Sequence, residues 1–152
     1  MHATRTSPIA IAAALLLTGL AAVNAADAVK GKPASAASTR NKLVIQVSDA
    51  DPKKWGLALN NAKNVQQDLG RDHVEIEIVA YGPGLAMLKL DSEVGGRVTE
   101  AIGEGVTVVA CENTMTNQKI SKDDMLPKIG YVKAGVVEIM QKQQQGYAYL
   151  RP

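Results

Sequence analysis

Three short runs of branched aliphatic residues, at 43–47, 74–80 and 106–110, limit what this chain can fold into more than any other feature. Each has the length of a strand, and the third is apolar enough to be covered on both faces. Between the first two the sequence specifies a helix: Asp51 suits the N-cap, Pro52 the first helical position and Gly70 the C-terminal stop. Ala58, Ala62, Val65 and Leu69 recur at helical spacing, so this stripe is expected to lie on the sheet. A strand, a crossing helix and a second strand make the unit from which parallel sheets are built.

The alternation continues along the chain. Tyr81, Gly82, Pro83 and Gly84 make a sharp loop after the second strand, followed by a helical turn over 85–90. Ser92 is placed to cap a second helix running to Glu104, with Val94, Val98, Ala101 and Ile102 inward. Ser121 and Asp124 have capping-box spacing, and Pro127 stops that turn. Weaker strands are expected at 131–133 and 147–150, with a helix over 134–145 between them. The fold class is therefore α/β: a mainly parallel sheet of about five strands, helices on both faces, and right-handed crossovers.

Composition sets the outer bounds. The 152 residues are 46% hydrophobic and 21% charged, ordinary values for a globular chain that buries a core without staples. The formal net charge is +2 and no basic run could neutralise several phosphates, so nucleic acid is not an expected partner. His2 and Arg5 precede an apolar stretch over 9–22, and Val23, Asn24 and Ala25 offer what a signal peptidase reads. Cleavage after Ala25 and export to the periplasm are expected, because roughly 14 apolar residues fall short of the ~20 that span a bilayer. A flexible leader over 26–41, rich in Ala, Lys, Ser, Gly and Pro, then precedes one folded domain at 42–152. No membrane contact is expected after cleavage.

Cys111 is the sole cysteine, so no internal disulfide can form in a compartment that favours them. A buried inert thiol, an intermolecular bridge and a reactive centre are the readings it leaves. Ligands of an open parallel sheet meet the loops at the carboxyl ends of the strands. Three segments fall there: Ser48, Asp49 and Asp51; then 81–84; then Cys111, Glu112, Asn113, Thr114 and Met115. Tyr81, Gly82, Gly84, Asn113 and Thr114 are accordingly the candidate binding residues around Cys111. Amides following Cys111 would favour its thiolate and Glu112 would oppose it, which leaves the sign of its pKa shift open.

Counting removes several chemistries. Beyond His2 the chain has only His73, too few ligands for a Cys/His zinc site. His73 opens the second strand and Cys111 follows the third, roughly 15 Å apart at ~3.3 Å per residue, so no Cys/His dyad is expected. The loop after the first strand lacks glycine, which removes a phosphate cradle. Cys111 with Met115 is a weak copper(I) pair, and Met115 reads better as packing. Asp51 reads as a cap and Asp49 as a turn residue. Trp55 and Tyr81 are expected near each other, lining a pocket or serving core or subunit contact.

Several of these segments together resemble a known family. They are residues 43–48, the helix carrying Trp55 to Asn61 and ending near Gly70, and the run I-V-A-Y-G-P-G-L at 78–85. To these are added Ala110, Cys111, Glu112, Asn113, Thr114 and Met115, and the later Gly135, Val136, Val137 and Glu138. The likeness is to the DsrE/DsrF-like family, specifically its exported branch, over 42–152. It implies a three-layer α/β/α sandwich, often assembled into trimers or hexamers, so a homo-oligomer is expected. In the sulfur-relay members a cysteine after the third strand accepts sulfane sulfur as a persulfide and passes it on. Cys111 matches that position, which implies a sulfur acceptor with a donor or acceptor protein as partner and with no cofactor or metal. The alternative is a non-catalytic oligomeric ligand-binding or assembly module in which Cys111 is packed.

Overall fold

The computed structural model describes residues 40–152. The expected signal peptide at 1–25 and the leader up to residue 39 lie outside the described residues. Five strands, β1 (Asn41–Val47), β2 (Val74–Ala80), β3 (Thr107–Cys111), β4 (Gly130–Val132) and β5 (Ala148–Leu150), form one parallel sheet in the order β4-β3-β2-β1-β5. Four helices connect them: α1 (Pro52–Leu69), α2 (Gly95–Gly103), α3 (Glu112–Gln118) and α4 (Gly135–Gln144). The expected α/β class and strand number are therefore observed. Asn41, expected at the end of the leader, already belongs to β1 and pairs with Val74.

Local chemistry accounts for most element boundaries. The Asp51 side chain accepts a hydrogen bond from the Lys53 amide at 2.9 Å, Pro52 opens α1, and Gly70 ends it at φ 85°. The inward stripe of α1 is Trp55, Ala58, Leu59, Ala62 and Gln66, while Leu69, expected to face the sheet, is 44% exposed. The helix has 18 residues and β1 has seven, so roughly 27 Å of helix outruns roughly 23 Å of strand. Ser92 does not cap α2. Its backbone closes the preceding turns, donating to the Lys89 carbonyl and accepting from the Gly95 amide, so the helix starts at Gly95. The capping box of Ser121 and Asp124 forms as expected.

The two faces of the sheet are covered unequally. Residues of α1, α2 and α3 pack with Ile45, Ile76, Ile78, Val108 and Ala110 in a large core on the first face. The second face has a smaller core of Val44, Val79, Val109, Ile139 and Tyr147 under α4. From β1 to β4 the chain steps one way across the sheet, and from β4 to β5 it returns, so right-handed crossovers put α4 opposite α1 and α2. Of the apolar residues on α4 only Ile139 is buried; Val136, Val137 and Met140 are exposed.

Beneath α4 lies a charged cluster that strand alternation alone would send to solvent. Glu77 is 4% exposed and its carboxylate meets the Lys142 ammonium at 2.7 Å. Glu138 approaches the same ammonium at 3.7 Å, the Tyr147 hydroxyl donates to Glu75, and Lys142 stands 4.9 Å from the centre of the Tyr147 ring. Burial raises the Glu77 carboxyl above its ordinary value of 4.5, against the opposing pull of Lys142.

Candidate functional site

Adjacent strands β3 and β4 send their outgoing chains to opposite faces, β3 into α3 on the first and β4 into α4 on the second. A crevice at the carboxyl ends of such a strand pair is where open α/β sheets hold their ligands. Cys111 is the last residue of β3 and the N-cap of α3, one residue further into the strand than expected. Its residue exposure is only 4%, yet its surroundings are polar. Burial pushes the thiol pKa up, and hydrogen bonds from the Thr114 hydroxyl and the Gly135, Thr114 and Asn113 amides outweigh it, leaving the group below its ordinary 9.0. The Lys133 carbonyl is 4.0 Å from Sγ and accepts from the Asn113 amide at 3.1 Å, tying the start of α3 to the end of β4. Glu112, expected to oppose the thiolate, pairs instead with Lys122 at 3.5 Å.

The loop after β2 is held from both sides. Towards β1, the Tyr81 amide donates to the Val47 carbonyl at 3.1 Å. Towards α3, the Gly82 amide donates to Thr114 Oγ1 at 2.9 Å and Gln118 Nε2 donates to the Gly82 carbonyl at 3.2 Å. Gly82 has φ 55°, in the left-handed region that glycine enters without strain. Tyr81 lies on the second face against Gly135, where a Cβ would come within 3.0 Å of the Tyr81 Cβ and 3.2 Å of Val79 Cγ1. That missing Cβ lets the first turn of α4 approach β2 and aim its amide at Cys111.

Cys111, Asn113, Thr114, Gly82 and Tyr81 thus share one corner of the sheet. Asn113, itself exposed, gives its amide to the Lys133 carbonyl that stands beside the sulfur. Gly84 packs closely against the end of β1, where the atoms nearest a Cβ would be backbone of Val47 and Ser48. Gly135 was the residue missing from the sequence-derived site. A glycine at the first position of a helix, where other residues are better formers, is the signal that marked it.

The sequence pattern of the DsrE/DsrF-like family matches residues 41–152. The chain belongs to this family. Membership supports a sulfur-relay-related function in general terms. Among solved structures, MTH1491 from Methanobacterium thermoautotrophicum, described as a protein of unknown function, is 37% identical with a TM-score of 0.70, covering 74% of this chain and 99% of its own. BT1422 from Bacteroides thetaiotaomicron (18% identity, TM-score 0.63, 77% and 99% covered) and the ychN protein from E. coli (11%, 0.57, 74% and 99%) share the fold. No protein of curated function matches the chain.

On this DsrE/DsrF-like scaffold several expectations are corrected. Trp55 and Tyr81 do not meet, because Trp55 packs in the first-face core and Tyr81 against the second. The Trp55 indole donates to the Asp49 carbonyl at 2.7 Å and lines no shared pocket. Met115 is buried in the first-face core, as its packing reading has it, whereas strand alternation puts Cys111 on the side of Val109. Among the described residues no group of three or more His, Cys, Asp or Glu could hold a metal. Asp49 is more than a turn residue: its hydrogen bond to Lys54 is the first of the causes that lower its carboxyl pKa, and Arg151 adds to it at 3.5 Å.

Proposed function

We propose that this chain accepts sulfane sulfur on Cys111 as a persulfide and hands it to a partner thiol. The observation that carries the reading is a sole thiol at the topological switch point, its pKa below the ordinary 9.0 because the polar groups that open α3 and α4 outweigh its burial. In the first step the Cys111 thiolate attacks the outer sulfur of a polysulfide or thiosulfate. One S–S bond forms and the donor's own breaks, the shortened polysulfide or sulfite leaving with the electron pair. A partner thiolate then attacks the terminal sulfur and Cys111 departs as thiolate, so no external oxidant is needed. Export to the periplasm and a homo-oligomeric state belong to the same proposal. The exposed Val136, Val137 and Met140 on α4 support an interface between copies.

Mass spectrometry after incubation with polysulfide or thiosulfate tests the reading. Wild-type protein is expected to gain sulfur at Cys111, reversibly with a reducing thiol, and Cys111→Ser to gain none. An unmodified Cys111 in folded protein ends the proposal. The 4% exposure of Cys111 favours the second reading, an assembly module with a packed cysteine. Alkylation separates the two: a thiol that reacts only after unfolding belongs to the module.

A further inference from the structure

We propose that residues 133–135 form a strap across Cys111, and that fraying of the first turn of α4 lifts it to admit a sulfur donor. The proposal deepens the sulfur-acceptor reading and rests on it for its purpose. Cys111 pairs with Val132 at the last step of the β3–β4 ladder, and strand alternation turns both side chains to the second face. Three residues after Val132, Gly135 already stands over β2, where an added Cβ would lie 3.0 Å from Tyr81 Cβ and 3.2 Å from Val79 Cγ1. Strand β3 lies between β4 and β2, so the chain crosses the end of β3 on the face to which the Cys111 side chain points. Three residue steps reach about 10 Å and two strand spacings take about 9.5 Å, which leaves no length for a detour. At the crossing the Lys133 carbonyl accepts from the Asn113 amide at 3.1 Å and stands 4.0 Å from Sγ.

The strap is thin and lightly held. Cys111 is buried, yet Lys133 is exposed and Ala134 half-buried, so the chain that covers the sulfur is itself the molecular surface. Ala134 takes the N-cap position of α4 in extended backbone, φ −140° and ψ 114°, and an alanine side chain offers no acceptor to the first amides of the helix. Beyond Gly135 the helix buries only Ile139, and Lys142 ties its far end to Glu77 at 2.7 Å. The uncapped first turn is therefore the weak end of α4, and it opens at a fraction of the cost of unfolding the sheet. The missing Cβ of Gly135 seats the strap against Tyr81 and Val79; a methyl group there would push it outward.

The test is the rate of Cys111 alkylation by iodoacetamide in the full chain at rising denaturant, with global unfolding followed in parallel. In wild type the rate is expected to stay flat at low denaturant, because lifting one turn exposes little surface, and to climb only where the whole domain unfolds. Gly135→Ala is expected to speed alkylation about tenfold in the flat region, and Gly96→Ala, whose Cβ meets nothing within 4 Å, to leave it unchanged. Ala134→Ser supplies the missing cap and is expected to slow alkylation about fivefold, which keeps the test open should Gly135→Ala not fold. A wild-type rate that follows global unfolding at every denaturant concentration overturns the proposal, as does a capped variant alkylated as fast as wild type. Rates that shift as expected without sulfur gain in wild type support the strap and overturn the acceptor reading. Sulfur gain with alkylation equal in wild type and both strap variants does the reverse.

Discussion

Gly84→Ala is expected to destabilise the domain by on the order of 3 kcal/mol or more, the largest effect of any single methyl group. The added Cβ would overlap the Val47 carbonyl oxygen and lie 2.6 Å from the Val47 carbonyl carbon and 2.9 Å from the Ser48 Cα. All three atoms are backbone at the end of a central strand, so no side chain can rotate away. Thermal unfolding should show a loss on the order of 10 °C. Displacing Gly84 also drags the loop that carries Gly82, so the Gly82–Thr114 hydrogen bond should weaken with it. Gly96→Ala is the control of opposite sign. A Cβ there meets nothing within 4 Å, and replacing a helical glycine is expected to stabilise by a few tenths of a kcal/mol. A Gly84→Ala protein that melts with wild type would show that the loop does not ride on the end of β1.

Lys142→Met is the second large effect. It removes the cation from a carboxylate whose side chain is 6% exposed, while Lys142 itself is 16% exposed. Breaking such a pair from one side leaves a buried charge and is expected to cost on the order of 3 kcal/mol near neutral pH. The sign with pH follows from the raised Glu77 carboxyl. Below its ordinary 4.5, both folded and unfolded chains hold the proton and the buried group costs little. As pH rises through the folded value, the native state must give up a proton that the unfolded chain has already lost, and stability falls. Without Lys142 the folded value rises further, so variant and wild type should differ most at neutral pH and converge towards acid. The double variant Lys142→Met, Glu77→Gln should recover much of the loss. A penalty that does not change between acid and neutral pH would remove the buried-charge explanation.

The same cluster shows where a linear reading reaches its end. Glu75 and Glu77 alternate with Ile76 and Ile78, which by strand period alone means one apolar face and one wet face. Whether the second face is wet depends on α4, which arrives from beyond β4 and covers it. The exposed end of α1 has a similar origin: Leu69 keeps the helical spacing, and only the relative lengths of helix and strand decide that it passes the core. Trp55 and Tyr81 follow two different strands of one sheet, yet they lie on opposite sides of it. Chain order carries no information about that.

What the sequence determined by itself was local and periodic: strands from branched apolar runs, α1 from its cap, proline and terminal glycine, the α/β class from alternation, and Cys111 at a strand's carboxyl end. These depend on neighbours within a few residues, where backbone geometry and side-chain period act directly. The tertiary structure alone decided that β3 and β4 part to opposite faces, that Gly135 lets the first turn of α4 close on Tyr81 and Val79, and that the Gly82 amide meets the Thr114 hydroxyl. Each of those is a meeting of segments more than 20 residues apart, as with Gly82 and Thr114 at a separation of 32. Hydrogen bonds act over about 3 Å, so a donor is aimed only once the sheet order has brought its segment there.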